Sequence, residues 1–544
     1  MTLTANSQEV PVRIVGSSVF GIYQTVSAER TYNMYITRSG NGEEEWLVNF
    51  PGYAAILEMF ETNLEGRGTF RSIRGGFVIA VVAGAIFRIN AFTEEPTQIG
   101  TMDSTTGEVV IDENLSGQIC IVGGQKAYIY NYLLAPNTVS LAAYTGAGAP
   151  TSSDFLPNYV TYQNTYFIFG NAVSTSAGSQ WYIFEQDSTV TPSSIKFVKL
   201  LTLQTKSDFA RAALRIPGKG NNLIVYGSTV AEIWTNVGGQ KVYQRNSSVN
   251  IDFGTVSVST IAANDQFVAW LGINEKSTAS IMVMTGGGAE EISTDGIDHV
   301  LERVKFPERS TAFLYRQGGH TFYVLTFTDI ADNFTIFYDF TTKKFFDLTD
   351  WNFTAFPARQ IIYFNNKTYF ISYKDGKMYQ LSSDFTTYDT FPNATPERVD
   401  RIYDIPCQRI TNTHRLTRPE KQKINLFTFV MESGTTANAY DIPICFGYIL
   451  NEQTNGIIYD ENDLPLLVEG GYCYTNKPRV DLTISKNGGN SYSNVVSYEL
   501  KATGNFHNQP RFINLGYAQQ ITYQLRFWGS GRKVVKNGTM EIGG

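Results

Sequence analysis

A β-hairpin returns about every 40 to 56 residues between roughly residues 68 and 385 of this chain. Each unit reads as an apolar strand, a turn of Gly, Asn or Asp, and a strand rich in Val, Ile, Tyr and Phe. The turns centre near Gly75, Gly124, Asn164, Gly220, Asp265, Gly318 and Asn365. The first unit is SIRGGFVIAVVAGAIFRI and the last is IIYFNNKTYFISYKDGKMYQL. A small sheet of this kind cannot bury both faces alone, and a period in this range is that of β-propeller blades. The spacing predicts approximate blades at 68–104, 107–146, 155–203, 209–253, 256–296, 308–350 and 353–385. Six or seven blades fit, because one hairpin can pair with a terminal strand. Joining first and last blades removes the unpaired strand edges that an open array would expose.

Composition agrees with an all-β chain. Hydrophobic residues make up 42% and charged residues 17%, with 32 Tyr and 36 Phe, whose flat rings pack well across pleated strands. The formal net charge of −7 argues against a protein that grips DNA by general phosphate neutralisation. It is compatible with a wall past which DNA slides. Cys120, Cys407, Cys445 and Cys473 form no CxxC pair and read as buried thiols of a reducing cytoplasm, although Cys445 and Cys473 could oppose each other across a sheet. The amino terminus MTLTANSQEVPVRIV lacks the basic and apolar regions of a secretion signal. The longest apolar stretch, 76–87, falls short of the ~20 residues of a membrane helix, and no membrane contact is expected before infection.

Four regions are expected: a β-rich amino-terminal segment at 1–60 packing on or near the propeller, the propeller at 61–390, a Pro- and Arg-containing linker at 391–423, and a β-sandwich at 424–544. Period-two alternation in INLFTFVMESG, RVDLTISKNGG, SNVVSYELKATG and RFINLGYAQQITYQLRFWG supports the sandwich. Pro51-Gly52 predicts a tight turn with positive φ at the glycine. Ile297 to Lys305 is expected to form a short helix, with Ile297, Val300, Leu301 and Val304 at helical spacing.

No catalytic, cofactor-binding or metal-binding constellation emerges. His299, His320, His414 and His507 lie at no metal-ligand spacing, and no nucleophile elbow, zinc-protease helix or Walker loop occurs. Ser485 to Tyr492, SKNGGNSY, resembles the Asp-box of sialidases, itself a structural hairpin. The remaining candidate is a basic strip: Arg401, Arg409, Arg415, Arg418, Lys421 and Lys423. It reads either as a solvated linker or as a contact for an acidic partner or nucleic-acid phosphate, where guanidinium groups give bidentate bonds.

Residues 226–294 carry a stronger likeness. Gly227-Ser228 precedes the strand Glu232-Ile233-Trp234; Arg245, Gly254 and the run Phe267-Val268-Ala269-Trp270-Leu271-Gly272 follow, then a Gly-rich hairpin. With Glu29 to Tyr35, Phe50-Pro51-Gly52, and the stretches 479–500 and 512–528, this chain resembles the packaged-DNA stabilization, or tail nozzle, proteins of short-tailed bacteriophages. Residues 433–475 look like an insertion relative to that family. The resemblance implies a non-enzymatic virion protein, made in the host cytoplasm and built into the tail. It implies a ring, usually of six copies, below the portal and its adaptor, with tail fibres, spikes or a plug as further partners. Double-stranded DNA would pass through its lumen without sequence recognition. Two alternatives stand beside this reading: a carbohydrate-active propeller of sialidase or depolymerase type, and a propeller that binds a host protein.

Overall fold

The computed structural model describes residues 8–21, 29–38, 42, 44–60, 62–91, 95–187, 191–216, 218, 220–276, 278–285, 288–390, 402–416, 420–433, 443–448, 458, 466–475, 478–500, 508–529 and 531–543, with backbone alone for 402, 433, 443–448 and 467–475. The chain divides into two compact units, one made of 56–333 and 357–380, the other of 1–55, 334–356 and 381–544.

The unit of 56–333 and 357–380 is a succession of small sheets, antiparallel but for the parallel pairing of Ala143–Thr145 with Ser194–Thr202. Five are complete: Gly66–Ser72 through Thr97–Thr101, Val110–Glu113 through Val139–Leu141, Ala143–Thr145 through Ser194–Thr202, Ala212–Arg215 through Val242–Ile251, and Gly254–Thr255 through Ala289–Glu291. Two hairpins follow, Ser310–Gln317 with His320–Phe327 and Ala358–Phe364 with Lys367–Ser372. Left-handed residues at the turns set the hairpins: Gly124 and Asn164 have φ of 59° and 48°, which Gly and Asn tolerate at least cost.

Adjacent sheets bury shared apolar layers. Phe77, Ile79 and Val81 pack with Ile119, Ile121 and Tyr128, and Val122 and Ile129 pack with Phe167, Phe169 and Phe184. Trp181 meets Trp234 edge-on at 5.3 Å, and Tyr226 meets Trp270 at the same separation. Strand Gly66–Ser72 lies beside Val110–Glu113 on one side and beside Ala358–Phe364 on the other. Val78 and Ala80 of the first sheet share a core with Ile371 of the last hairpin. The array therefore closes on itself, and no open face is left at its ends. The β-propeller read from the hairpin period is the fold of this unit.

In the other unit, Met34–Arg38, Glu45–Asn49, Lys533–Gly543, Gln422–Ser433 and Arg511–Ala518 form one sheet in that order, with Gln8–Val12 also paired to Lys533–Gly543. A second sheet contains Phe334–Asp339, Lys344–Leu348, Arg30–Tyr32, Cys407–Ile410, Gln520–Trp528, Arg479–Ser485 and Val496–Glu499. Phe427 of the first sheet stacks on Tyr523 of the second at 4.0 Å, and Phe512 and Met540 pack around them. Phe50, Tyr53, Phe337, Phe356 and Tyr388 form a second aromatic cluster, with Tyr53 stacked on Tyr388 at 4.3 Å.

This grouping departs from the linear division into four regions. The strands Gln8–Val12 and Glu45–Asn49 pair with the carboxy-terminal strand Lys533–Gly543, with Glu9 opposite Glu541 and Val48 opposite Val534. Within the expected linker, Cys407–Ile410 and His414–Arg415 are strands hydrogen-bonded to Gln520–Trp528. Gly52 is also not a left-handed turn residue: it opens the strand Gly52–Leu57, and its φ is not among the positive ones. Glycine is needed there for room, since a Cβ would overlap the carbonyl oxygens of Thr387 and Phe385.

The expected short helix is Asp295–Leu301, with Ile297 and Leu301 buried. Cys120 and Cys407 are free and buried; burial pushes the Cys407 thiol up to about 11. Cys445 and Cys473 hold directly opposed backbone positions in the strands Pro443–Tyr448 and Leu467–Thr475. Among the described residues no helix is long and apolar enough to cross a membrane, and no cluster of His, Cys, Asp and Glu has metal-site geometry.

Candidate functional site

The basic strip of 401–423 separates into residues with different surroundings. Arg401 and Arg418 lie outside the described residues. Arg409 is fully buried, which removes it from any contact strip. Its Nε donates to the carbonyl of Ile14 at 2.6 Å, and its Nη1 donates to Ser17 O and Thr31 Oγ1 at 3.0 and 2.9 Å. Its Nη2 pairs with Glu29. Gly16 makes the space, since a Cβ there would overlap both the guanidinium and the Glu29 carboxylate. Burial lowers the Arg409 pKa, opposed by the attraction of Glu29. This guanidinium is a clamp on the amino-terminal segment.

Arg415, Lys421 and Lys423 are exposed. Arg415 is set by the short strand His414–Arg415, where it opposes Gln520. Lys423 opposes Tyr517 in the neighbouring ladder. Arg415 and Lys421 line a cleft of about 560 Å³ with Leu416, Lys486, Tyr517, Ala518, Gln519 and Gln520. Lys486 comes from the SKNGGNSY turn, and its Nζ lies over Gly516, at 3.1 Å from where a Cβ would stand. That turn is tied by Ser491 N donating to Asn487 Oδ1 at 3.0 Å and Gly489 N donating to Ser485 Oγ at 2.8 Å. The cleft thus joins three cations, an exposed tyrosine and two carboxamides, and among the described residues no carboxylate lines it. Such a set suits phosphate or carboxylate groups. Sequence reading missed Lys486 and Tyr517, because their approach to Arg415 depends on the pairing of strands distant in the chain; the polar turn around Lys486 was the one available signal.

A second concave region lies where the inner strands of the propeller unit face one another. A cavity of about 400 Å³ is lined by Thr69, Val110, Tyr159, Ala262, Phe313 and Gln360, one from each of six inner strands. It is contiguous with two larger ones, of about 680 and 690 Å³, and all three share Glu108 and Ser259. The loop carrying Glu108 is held by Arg67, whose guanidinium donates to Gly107 O at 2.6 Å, Ala83 O at 2.9 Å and Ser104 O at 2.6 Å. Burial brings the Arg67 pKa down to about 10. Gln360 Nε2 donates to Glu108 Oε1 at 2.7 Å, and Arg359 pairs with Glu65 at 2.7 Å. Burial raises the Glu108 carboxyl above its usual range, with the charge of Arg359 acting against it.

Comparison with known proteins gives one family. Residues 32–386 match the phage-stabilisation family described as bacteriophage P22 Gp10, β-propeller. No curated protein matches the chain. Among solved structures, the computationally designed Ika8 protein is 10% identical with a TM-score of 0.34, the alignment covering 65% of this chain and 96% of that one. An ancestral GH74 enzyme is 10% identical with a TM-score of 0.38, over 69% of this chain and 51% of the enzyme. PorZ, a surface component of the type-IX secretion system of Porphyromonas gingivalis, is 10% identical with a TM-score of 0.33, over 60% and 37%. Likeness at this level carries no argument about function.

Proposed function

The chain belongs to the bacteriophage P22 Gp10 β-propeller family, a family of structural phage proteins that stabilise packaged DNA, and from that membership we propose that it is a subunit of a tail nozzle ring. In this reading the ring, of six copies, sits below the portal and its adaptor, extends the DNA channel, retains the genome and anchors tail fibres or spikes. The match over residues 32–386 carries the proposal. It is a structural role without catalysis.

The propeller unit would be the body of the ring subunit, since closed sheets resist deformation and leave few edges for misassembly. The unit of 1–55, 334–356 and 381–544 would supply assembly surfaces. Its basic cleft at Arg415, Lys421 and Lys486 would take a carboxylate-rich segment of a neighbouring tail protein or a DNA phosphate. Reconstruction of isolated tails by electron microscopy tests the placement. Six copies in one ring between adaptor and fibre attachment are expected. A monomer bound elsewhere on the particle would refute the ring, and would favour the host-binding alternative.

A further inference from the structure

We propose that Cys445 and Cys473 are a disulfide-forming pair, a covalent modification site that closes the hairpin of Pro443–Tyr448 and Leu467–Thr475. The inference is independent of the ring reading, because both cysteines lie in one hairpin of one chain.

The two strands are antiparallel, and their register sets Cys445 directly opposite Cys473, with Ile444 opposite Tyr474 and Phe446 opposite Tyr472 on either side. Opposed Cα atoms of an antiparallel ladder lie about 4.5 or about 5.5 Å apart, and a disulfide spans Cα separations of about 4.4–6.8 Å. Either kind of pair can therefore close with little backbone movement. Opposed positions also share a face of the sheet. Alternation places Ile444, Phe446, Tyr472 and Tyr474 on one face and the two cysteines, with Pro443 and Thr475, on the other. The register shift of this ladder falls between Phe446 and Tyr448, beyond the cysteine pair, and leaves its alignment intact.

This hairpin has more to gain from a cross-link than the other sheets. Among the described residues its two strands pair only with each other, whereas every other sheet has four strands or more. A lone two-stranded hairpin is marginally stable in water, and a bond between residues 445 and 473 restricts its opened state. Cys120 and Cys407 provide the contrast: each is free and buried, and burial raises both thiols, that of Cys407 to about 11. Thiols so raised carry little thiolate and react slowly. Oxidation of the pair needs an acceptor for two electrons, which a low-molecular-weight disulfide supplies. One cysteine thiolate attacks that disulfide, forms a mixed disulfide and releases one small thiol. The second thiolate attacks the protein sulfur of the mixed disulfide, forms the Cys445–Cys473 bond and expels the second small thiol. The two thiols released take up the two protons that the cysteines lose. A reducing cytoplasm reverses the exchange, so the bond is favoured outside it.

The test is oxidation of the reduced full chain by oxidised glutathione, followed by acid quenching, alkylation and peptide mass spectrometry without reductant. The expected product is a peptide pair linked through Cys445 and Cys473, with two of the four thiols of the chain, those of Cys120 and Cys407, still free. Cys445→Ser should leave Cys473 as a glutathione adduct, the intermediate that the missing partner would resolve. Hydrogen exchange over 443–448 and 467–475 should be at least about tenfold slower in the oxidised chain than in the reduced one. A chain carrying both Cys445→Ser and Cys473→Ser should show no such difference. The proposal is overturned if all four cysteines stay reduced, or if Cys445 and Cys473 end in glutathione adducts or in links between chains. It is equally overturned if the bond forms and exchange in the hairpin is the same in both redox states.

Discussion

Replacing Arg409 with Met removes a charge while keeping much of the side-chain volume, so it isolates the clamp from simple cavity formation. Three acceptors, the buried Ile14 O and Thr31 Oγ1 and the partly buried Ser17 O, lose their donor. Glu29, whose side chain is 14% exposed, loses its ion pair. Breaking one side of a buried pair costs about 3–5 kcal/mol, and each unpaired buried acceptor about 1–3 kcal/mol. These terms overlap, because Glu29 can turn outward and the backbone can relax, so about 4 kcal/mol is expected for local opening. A chain of this size is not expected to unfold in one step, so a global midpoint is the wrong readout. Hydrogen exchange followed by mass spectrometry on peptides covering 8–21 and 407–416 reads the local effect. A loss of about 4 kcal/mol corresponds to roughly thousand-fold faster exchange there. Arg415→Met, at an exposed position of the same strip, should leave those peptides unchanged. If the two variants exchange alike, Arg409 is not the clamp described and the burial argument fails.

Arg67→Met should free the loop 103–108, seen as proteolytic nicking near Ser104, since four hydrogen bonds to Gly107, Ala83 and Ser104 disappear. The half-buried His414 has its pKa lowered by burial, with Glu29 pulling it upward and Arg409 down. The unfolded chain therefore takes up the proton first as pH falls below about 6.5, so the stabilising neutral form is lost between that pH and the lower folded pKa. His414→Phe should flatten the acid side of a pH–stability curve measured by local exchange; an unchanged slope would count against the burial of this imidazole. Reversing Arg415, Lys421 and Lys486 to Glu should weaken retention on both a short DNA duplex and polyglutamate. If DNA binding occurs at this cleft, its salt slope should fall by nearly one per cation removed.

The propeller was legible because a closed array of similar sheets repeats one local rule. Turn residues such as Gly124 and Asn164 announce each hairpin, and the apolar strands between them need no distant information. The helix at Asp295–Leu301 was legible for the same reason, through the spacing of Ile297 and Leu301. What alternation cannot report is the partner of a strand. The pairing of Val10 with Met540 joins residues at opposite ends of the chain, and nothing in either segment names the other. Arg409 shows a second blind spot, since a charged residue in a basic run reads as surface. Its burial is possible only because Ile14, Ser17 and Thr31 bring acceptors to it and Gly16 leaves room. Gly52 shows a third: the need for glycine was visible, but its cause was the approach of the chain at Phe385 and Thr387. The basic cleft was half legible, because Arg415 and Lys421 are local while Lys486 and Tyr517 arrive through sheet pairing.

On the reading proposed above, this protein holds packaged DNA inside the particle as part of the tail. The most direct test of that reading is the DNA content of particles assembled without the protein, measured over time by nuclease protection after packaging is complete. Heads lacking the protein are expected to fill to wild-type content and then become nuclease-sensitive, with retention restored by adding the purified protein. Heads that keep their full genome and carry complete tails in its absence would contradict it.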